Sequence, residues 1–194
     1  MLRFLTAGES HGPCLVATVE GMPAGVPVDV ARLNVQMRRR QLGYGRGPRM
    51  QFEPDMVEIV SGVRRGVTLG SPVAMLIKNK DSSIDRLPVV TQPRPGHADL
   101  TGAIKYGHRD IRNVLERASA RETAARVAVG ALVRELLTPL GVELASHVIA
   151  LGSVRAKAQA ASISSIKKKA ETTPLRCLDA EATKRMIKEI DACV

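Results

Sequence analysis

The sequence predicts an α+β fold, mainly antiparallel strands around a central helix, and three observations carry that expectation. Two alternating apolar runs, 56–61 and 71–77, are separated by a short glycine-bearing connection, which suggests antiparallel pairing. One helical stripe, Ala124, Val127, Ala128, Ala131, Leu132 and Leu136, is rich in alanine and implies a buried helix packed closely against other elements. Hydrophobic residues make up 44% of 194, ample for a core within one domain or a portion of a larger one.

In chain order, the first feature is Gly8-Glu9-Ser10-His11-Gly12, which matches the G-x-S-x-G pattern of the serine-hydrolase nucleophile elbow. The elbow needs earlier strands to build its oxyanion loop, and only seven residues precede Gly8. The following stretch, 14–20, is β-branched and apolar and reads as a strand, not as the helix an elbow requires. Ser10 is therefore not read as a nucleophile, and His11 becomes the residue of interest. "GMPAGVPVD", 21–29, reads as a turn, with Asp29 as N-cap of a helix through Val30, Leu33 and Met37 that ends at Gly43. Arg38, Arg39 and Arg40 close that helix, where cations suit the negative end of the macrodipole, so capping and solvation account for at least two of them.

"GYGRGPRM", 43–50, spaces its glycines as G-x-G-x-G after a helix, unlike the strand-following dinucleotide fingerprint. It reads as a flexible loop carrying Arg46 and Arg49. Residues 79–112 contain Pro88, Pro93 and Pro95 without a sustained period and read as one long loop. It carries His97, Asp99, Lys105, His108, Arg109 and Arg112, a set that points to a functional loop. Ser119-Ala120-Arg121-Glu122 reads as a capping box that opens the alanine-rich helix, and Pro139 with Gly141 stops it. Residues 142–154 read as a further strand, and 162–194 as two short helical segments, the second starting near Asp179. The closing "KEIDACV" ends in a helical pattern without a terminator, so 1–194 reads as a single domain that is truncated from a larger fold.

Lys and Arg total 29 against 19 Asp and Glu, a net +10, which points to anionic partners. Nucleic-acid binders add aromatic stacking platforms, whereas this chain has two Phe, two Tyr and no Trp. Its arginines concentrate at 38–49 and 109–126 among glycine, histidine and serine, an arrangement suited to pockets for small phosphorylated or carboxylated molecules. There is no membrane-length apolar run and no secretion signal, so a cytoplasmic location follows by default. Cys14, Cys177 and Cys193 are too widely spaced for zinc or a disulfide framework, and Asp81, Asp85 and Asp99 too loosely for a metal site. Glu53, Asp55 and Glu58 read as hydrating a turn and a strand edge.

The helix start at Ser119, flanked by Arg117 and Arg121, is either an ordinary cap or a phosphate site. The glycine-arginine loop tips it toward binding, and two separated anion sites suggest two anionic ligands. His147, in an alternating run, reads as structural. His11 and His97, in "SHG" and "PGHAD", are imidazoles presented from flexible backbone, where either could donate a proton near neutrality.

"GESHG" at 8–12, "RRQLGYGRGPRM" at 39–50, "SGVRRGVTLGSPV" at 61–73, "RPGHADLTGAIKYGHRDIR" at 94–112 and "ERASARETAARVAVGA" at 116–131 together resemble the chorismate synthase family, in the family's order. The resemblance implies anti-1,4-elimination of phosphate from 5-enolpyruvylshikimate 3-phosphate to chorismate, with reduced FMN (FMNH2) although there is no net redox change. By that resemblance His11 protonates the leaving phosphate and His97 serves the reduced flavin. Ser10, Arg40, Arg46 and Arg121 hold the substrate, or NADPH in members that reduce their own flavin, while Arg117, Ala118 and Ser119 line the FMN site. It further implies antiparallel sheets sandwiching helices, a homotetramer, and a family length about twice this one. No metal, nucleic acid or membrane is implied. The rival readings are a basic nucleic-acid-binding module, resting on the net charge, and an inactive fragment of the synthase.

Overall fold

The computed structural model describes residues 1–47, 49–158 and 160–193; Pro48 of the glycine-arginine loop and Val194 of the last helical segment lie outside them. In chain order the elements are β1 (Arg3–Gly8), β2 (Cys14–Glu20), β3 (Ala24–Pro27), α1 (Val30–Gln41), α2 (Arg49–Phe52), β4 (Val57–Ser61), β5 (Val63–Arg64), β6 (Val67–Leu69) and β7 (Val73–Lys78). There follow α3 (Asp99–Tyr106), α4 (Arg112–Leu115), α5 (Thr123–Leu137), β8 (Ala150–Leu151), β9 (Val154–Arg155), α6 (Ile163–Ala170) and α7 (Ala180–Asp191). The chain divides into two compact units, Met1–Arg40 with Glu53–Leu136, and Gln41–Phe52 with Leu137–Val194.

The first unit is built on a four-stranded sheet, β1-β2-β7-β4, antiparallel throughout. β4 and β7 are the two alternating runs, and they pair directly, Val57 opposite Ile77. Alternation puts Leu15, Ala17, Val19, Val73, Met75 and Ile77 on one face, where they pack against Leu33 and Met37 of α1 and Ala124, Ala128 and Leu132 of α5. The small alanines let α5 lie close to the sheet, as the stripe predicted, and Leu132 is fully buried. The fold is α+β with mainly antiparallel sheets, as expected.

Several local expectations are corrected. The stretch read as a turn contains β3, which pairs with β6 in a separate three-stranded sheet. β1 was not anticipated, because most of its residues are exposed and it has no buried alternation. The supposed loop 79–112 contains α3 and ends on the first residue of α4. The helical period of α3 is hidden because its buried positions are Asp99, Gly102 and Ala103, none a large apolar residue. The capping box does not close: Ser119 Oγ accepts from Arg121 N at 3.3 Å, a 3-10 turn at 120–122 precedes α5, and the Glu122 carboxylate is drawn to Thr6 and Arg126.

In the second unit a small core of Cys177, Ala182 and Met186 is packed by Val148, Leu151, Val154 and Leu175. Asp179 caps α7 by accepting from Ala182 N at 2.9 Å, which confirms the start read near that residue. The strand expected over 142–154 is only the β8–β9 hairpin and a bridge from Val148 to Cys177. Gly152 and Ser153 turn the chain there, and residues 142–146 are exposed.

Candidate active site

The loop between β1 and β2 carries Ser10 and His11, and Gly8 makes it possible. Its φ is +98°, and a Cβ there would lie 2.3 Å from the Cys14 carbonyl oxygen, so only glycine fits. Asn79, just after β7, clasps the loop from beneath, donating from Nδ2 to Glu9 O at 3.0 Å and Gly12 O at 2.7 Å. From the other side, Ser10 N donates to Glu116 O at 3.0 Å. The Glu116 carboxylate accepts from His11 N at 2.9 Å and from His11 Nδ1 at 2.8 Å. His11 Nε2 faces outward, 3.7 Å from Asp81 Oδ2.

The same asparagine joins this loop to an arginine cluster. Asn79 Oδ1 accepts from Arg121 Nε at 3.0 Å, and Arg121 Nη1 pairs with Asp55. Asp55 also accepts from Arg40 Nη1 at 2.9 Å, while Arg40 Nε and Nη2 donate to Thr123 Oγ1 and Ala120 O. Both guanidinium groups are almost wholly buried and share the fully buried Asp55 carboxylate, as charges away from water need a counter-charge. The balance is incomplete. Arg121 Nη2 is 3.9 Å from Glu53 and is a buried donor with no hydrogen-bond partner among the described residues. A cation held rigid with a spare donor suits an anion. Glu53 and Asp55 are thus not surface hydration, as their spacing suggested, but buried counter-charges; Glu58 does lie at the surface, paired with Lys78.

Next to the loop, Arg117 Nη2 donates to Thr6 O at 2.8 Å and Thr6 Oγ1 at 2.9 Å. With Ala118 it borders a cavity of about 490 Å³ also lined by Glu9, Ala98, Lys105 and Tyr106, of ligand-pocket size. His97 precedes Ala98, and its Nδ1 is bonded to the buried Asp99. Asp99 Oδ2 also accepts from Arg94 N at 3.0 Å and Arg94 Nε at 2.9 Å. The Arg94 side chain above all, aided by its backbone N–H and His97, holds the Asp99 carboxyl well below the usual carboxylate range.

The structure therefore joins Ser10, His11, Arg40 and Arg121 in one bonded network, and sets Arg117 and Ala118 on a cavity that begins at Glu9. Ser119 caps the turn between them. Arg46 belongs to the second unit, where its Nε approaches Leu42 O at 3.4 Å. His108 is exposed, and His147 Nδ1 is buried without a hydrogen-bond partner among the described residues. Sequence reasoning missed Glu53, Asp55, Asn79 and Glu116. Of these only Glu116 lies inside the arginine run 109–126 that the sequence marked, where it is one of three acids with Asp110 and Glu122. Among the described residues no group could hold a metal ion, and no helix is long and apolar enough to cross a membrane.

Comparison with known proteins bears on the family and the fold. The sequence model of a family described as Chorismate synthase matches residues 2–194. Chorismate synthase 1 of Bacillus cereus (strain ZK / E33L) is 53% identical over 207 aligned residues, covering 98% of this chain and 53% of the relative. Chorismate synthase of Symbiobacterium thermophilum is 52% identical, covering 98% and 54%. A solved structure described as "Crystal Structure of Chorismate Synthase" superposes with a TM-score of 0.78 at 42% identity, covering 98% of this chain and 53% of that one. The chain thus spans about half the length of the relatives it matches.

Proposed function

This chain belongs to the chorismate synthase family, and from that premise we propose that it takes part in the anti-1,4-elimination of phosphate from 5-enolpyruvylshikimate 3-phosphate to give chorismate. The observation that carries the reading is the Asn79 clasp, which ties the Ser10-His11 loop to a buried arginine with a spare donor. The substrate bears carboxylates and a phosphate, which take guanidinium forks well. Arg121 Nη2 and the neighbouring Arg40 are suited to orient it, and Ser10 supplies a hydrogen bond on the substrate side; a role for Arg46 in anion binding rests on the family resemblance alone. His11 Nε2 is the nitrogen free to give a proton to the departing phosphate. Rigid donors near a developing charge stabilise it without reorganisation.

The residues present fit the reduced FMN that the family's reaction implies, because Arg117 and Ala118 line a roomy cavity whose wall continues to Ala98, beside His97. Arg117, Ala118 and Ser119 would hold that group. When bound it supplies the electron that helps expel phosphate from a carbon skeleton whose departing hydrogen is not acidic. His97, tethered to Asp99, is suited to hold a proton against it. NADPH as reductant, a homotetramer and a cytoplasmic place belong to the same proposal.

Chorismate formation with reduced FMN tests it, measured for this chain and for one extended to the length of its relatives. His11→Ala and His97→Ala are each expected to lower the rate by about 10²-fold or more, the scale of general acid–base catalysis. Unimpaired variants would remove both assignments.

A further inference from the structure

We propose that Glu116 is the positioning residue of His11, fixing the imidazole as its Nδ1–H tautomer and so reserving Nε2 for proton exchange with the ligand. The inference rests on the proposed reaction only for what Nε2 meets; the tautomer itself follows from the packing.

The Glu116 side chain is fully buried. One of its oxygens, Oε2, accepts from both the main-chain N and the ring Nδ1 of His11, at 2.9 and 2.8 Å. An ionised carboxylate only accepts, so the hydrogen in the ring contact sits on Nδ1. In the other neutral tautomer two lone pairs would face each other across that distance. The second oxygen, Oε1, accepts from Arg112 Nη1 at 3.1 Å, one helical turn earlier on α4, so the carboxylate is oriented from both sides. Ser10 N donates to the Glu116 carbonyl, and one buried residue therefore anchors two neighbouring loop positions. The opposite ring nitrogen is left on the partly exposed side, with Asp81 Oδ2 at 3.7 Å. Ser83 Oγ donates to Asp81 Oδ1 at 2.6 Å, which leaves Oδ2 as the oxygen beside Nε2. An acceptor that selects the tautomer of a proton-transferring histidine acts through orientation, and its removal costs rate more than binding.

Long-range 1H–15N spectra of this chain with labelled histidine report which ring nitrogen of His11 carries hydrogen. With the imidazole neutral, His11 is expected to be protonated at Nδ1 and bare at Nε2, and Glu116→Gln is expected to yield mixed tautomers. In an active, extended chain the same variant is expected to lower kcat by roughly 10²- to 10⁴-fold with KM changed less than about twofold. A wild-type His11 protonated at Nε2, or an unchanged tautomer in folded Glu116→Gln, overturns the inference. The wild-type spectrum needs no variant to fold. It also decides the tautomer whether or not chorismate is formed, so failure of the proposed reaction is read separately.

Discussion

Asp99 shows how a single side chain organises the 94–99 turn. It is fully buried, it collects hydrogen bonds from Arg94 and His97, and its carboxyl is held below the ordinary value of 3.8. With the folded pKa depressed, the folded state binds fewer protons than the unfolded one in mild acid. The stability it contributes is complete above about pH 4 and is lost as pH falls further. Urea midpoints measured from pH 7 to pH 2 are expected to be lower for Asp99→Asn at neutrality, and the gap to wild type is expected to close below about pH 4. A gap that stays constant with pH would remove this account. At this scale the histidines and arginines could be picked from the sequence, because residue type announces their chemistry. Their partners could not. Asp55 is 66 positions from Arg121, and Glu116 is 105 from His11, separations that no local pattern spans.

The helix pair α3–α4 makes the corresponding point for elements. α3 escaped the periodicity because it meets α4 through a glycine: a Cβ at Gly102 would lie 2.3 Å from Val114 Cγ1. The close approach fixes where Arg112, Glu116 and Arg117 emerge and shapes the cavity wall. Gly102→Ala is expected to destabilise the fold by about 1–3 kcal/mol through overpacking, with most of the loss recovered in Gly102→Ala/Val114→Ala. Denaturant unfolding of the three forms checks it, and a neutral single variant would show the helices to be freer than their contact implies. By contrast α1, β2, β4, β7 and α5 were legible in advance, because each buries a regular apolar stripe or alternation against the same core. β8–β9 and the edge strand β1 bury little and left little signal.

The two compact units of the molecule have separate hydrophobic clusters. Met186 is fully buried in the second, and Met186→Ala is expected to cost about 2–5 kcal/mol there. Hydrogen exchange is expected to speed up across 163–191 while β2 and β7 keep their protection; equal loss in both would mean one cooperative core. The net charge of +10 suggested anionic partners, and Arg40 and Arg121 of the first unit share a buried acid while Arg121 keeps a spare donor, an arrangement suited to a small anion. The sequence by itself determined the fold class, the main elements and the family, because apolar periodicity and ordered motifs are local properties that survive in one dimension. Tertiary structure alone decided that Asn79 would join the histidine loop to Arg121, that Asp55 would serve two arginines, and that Glu116 would hold His11. Those meetings depend on strand register and on how closely helices pack, and burial then demands a partner for every charge it removes from water.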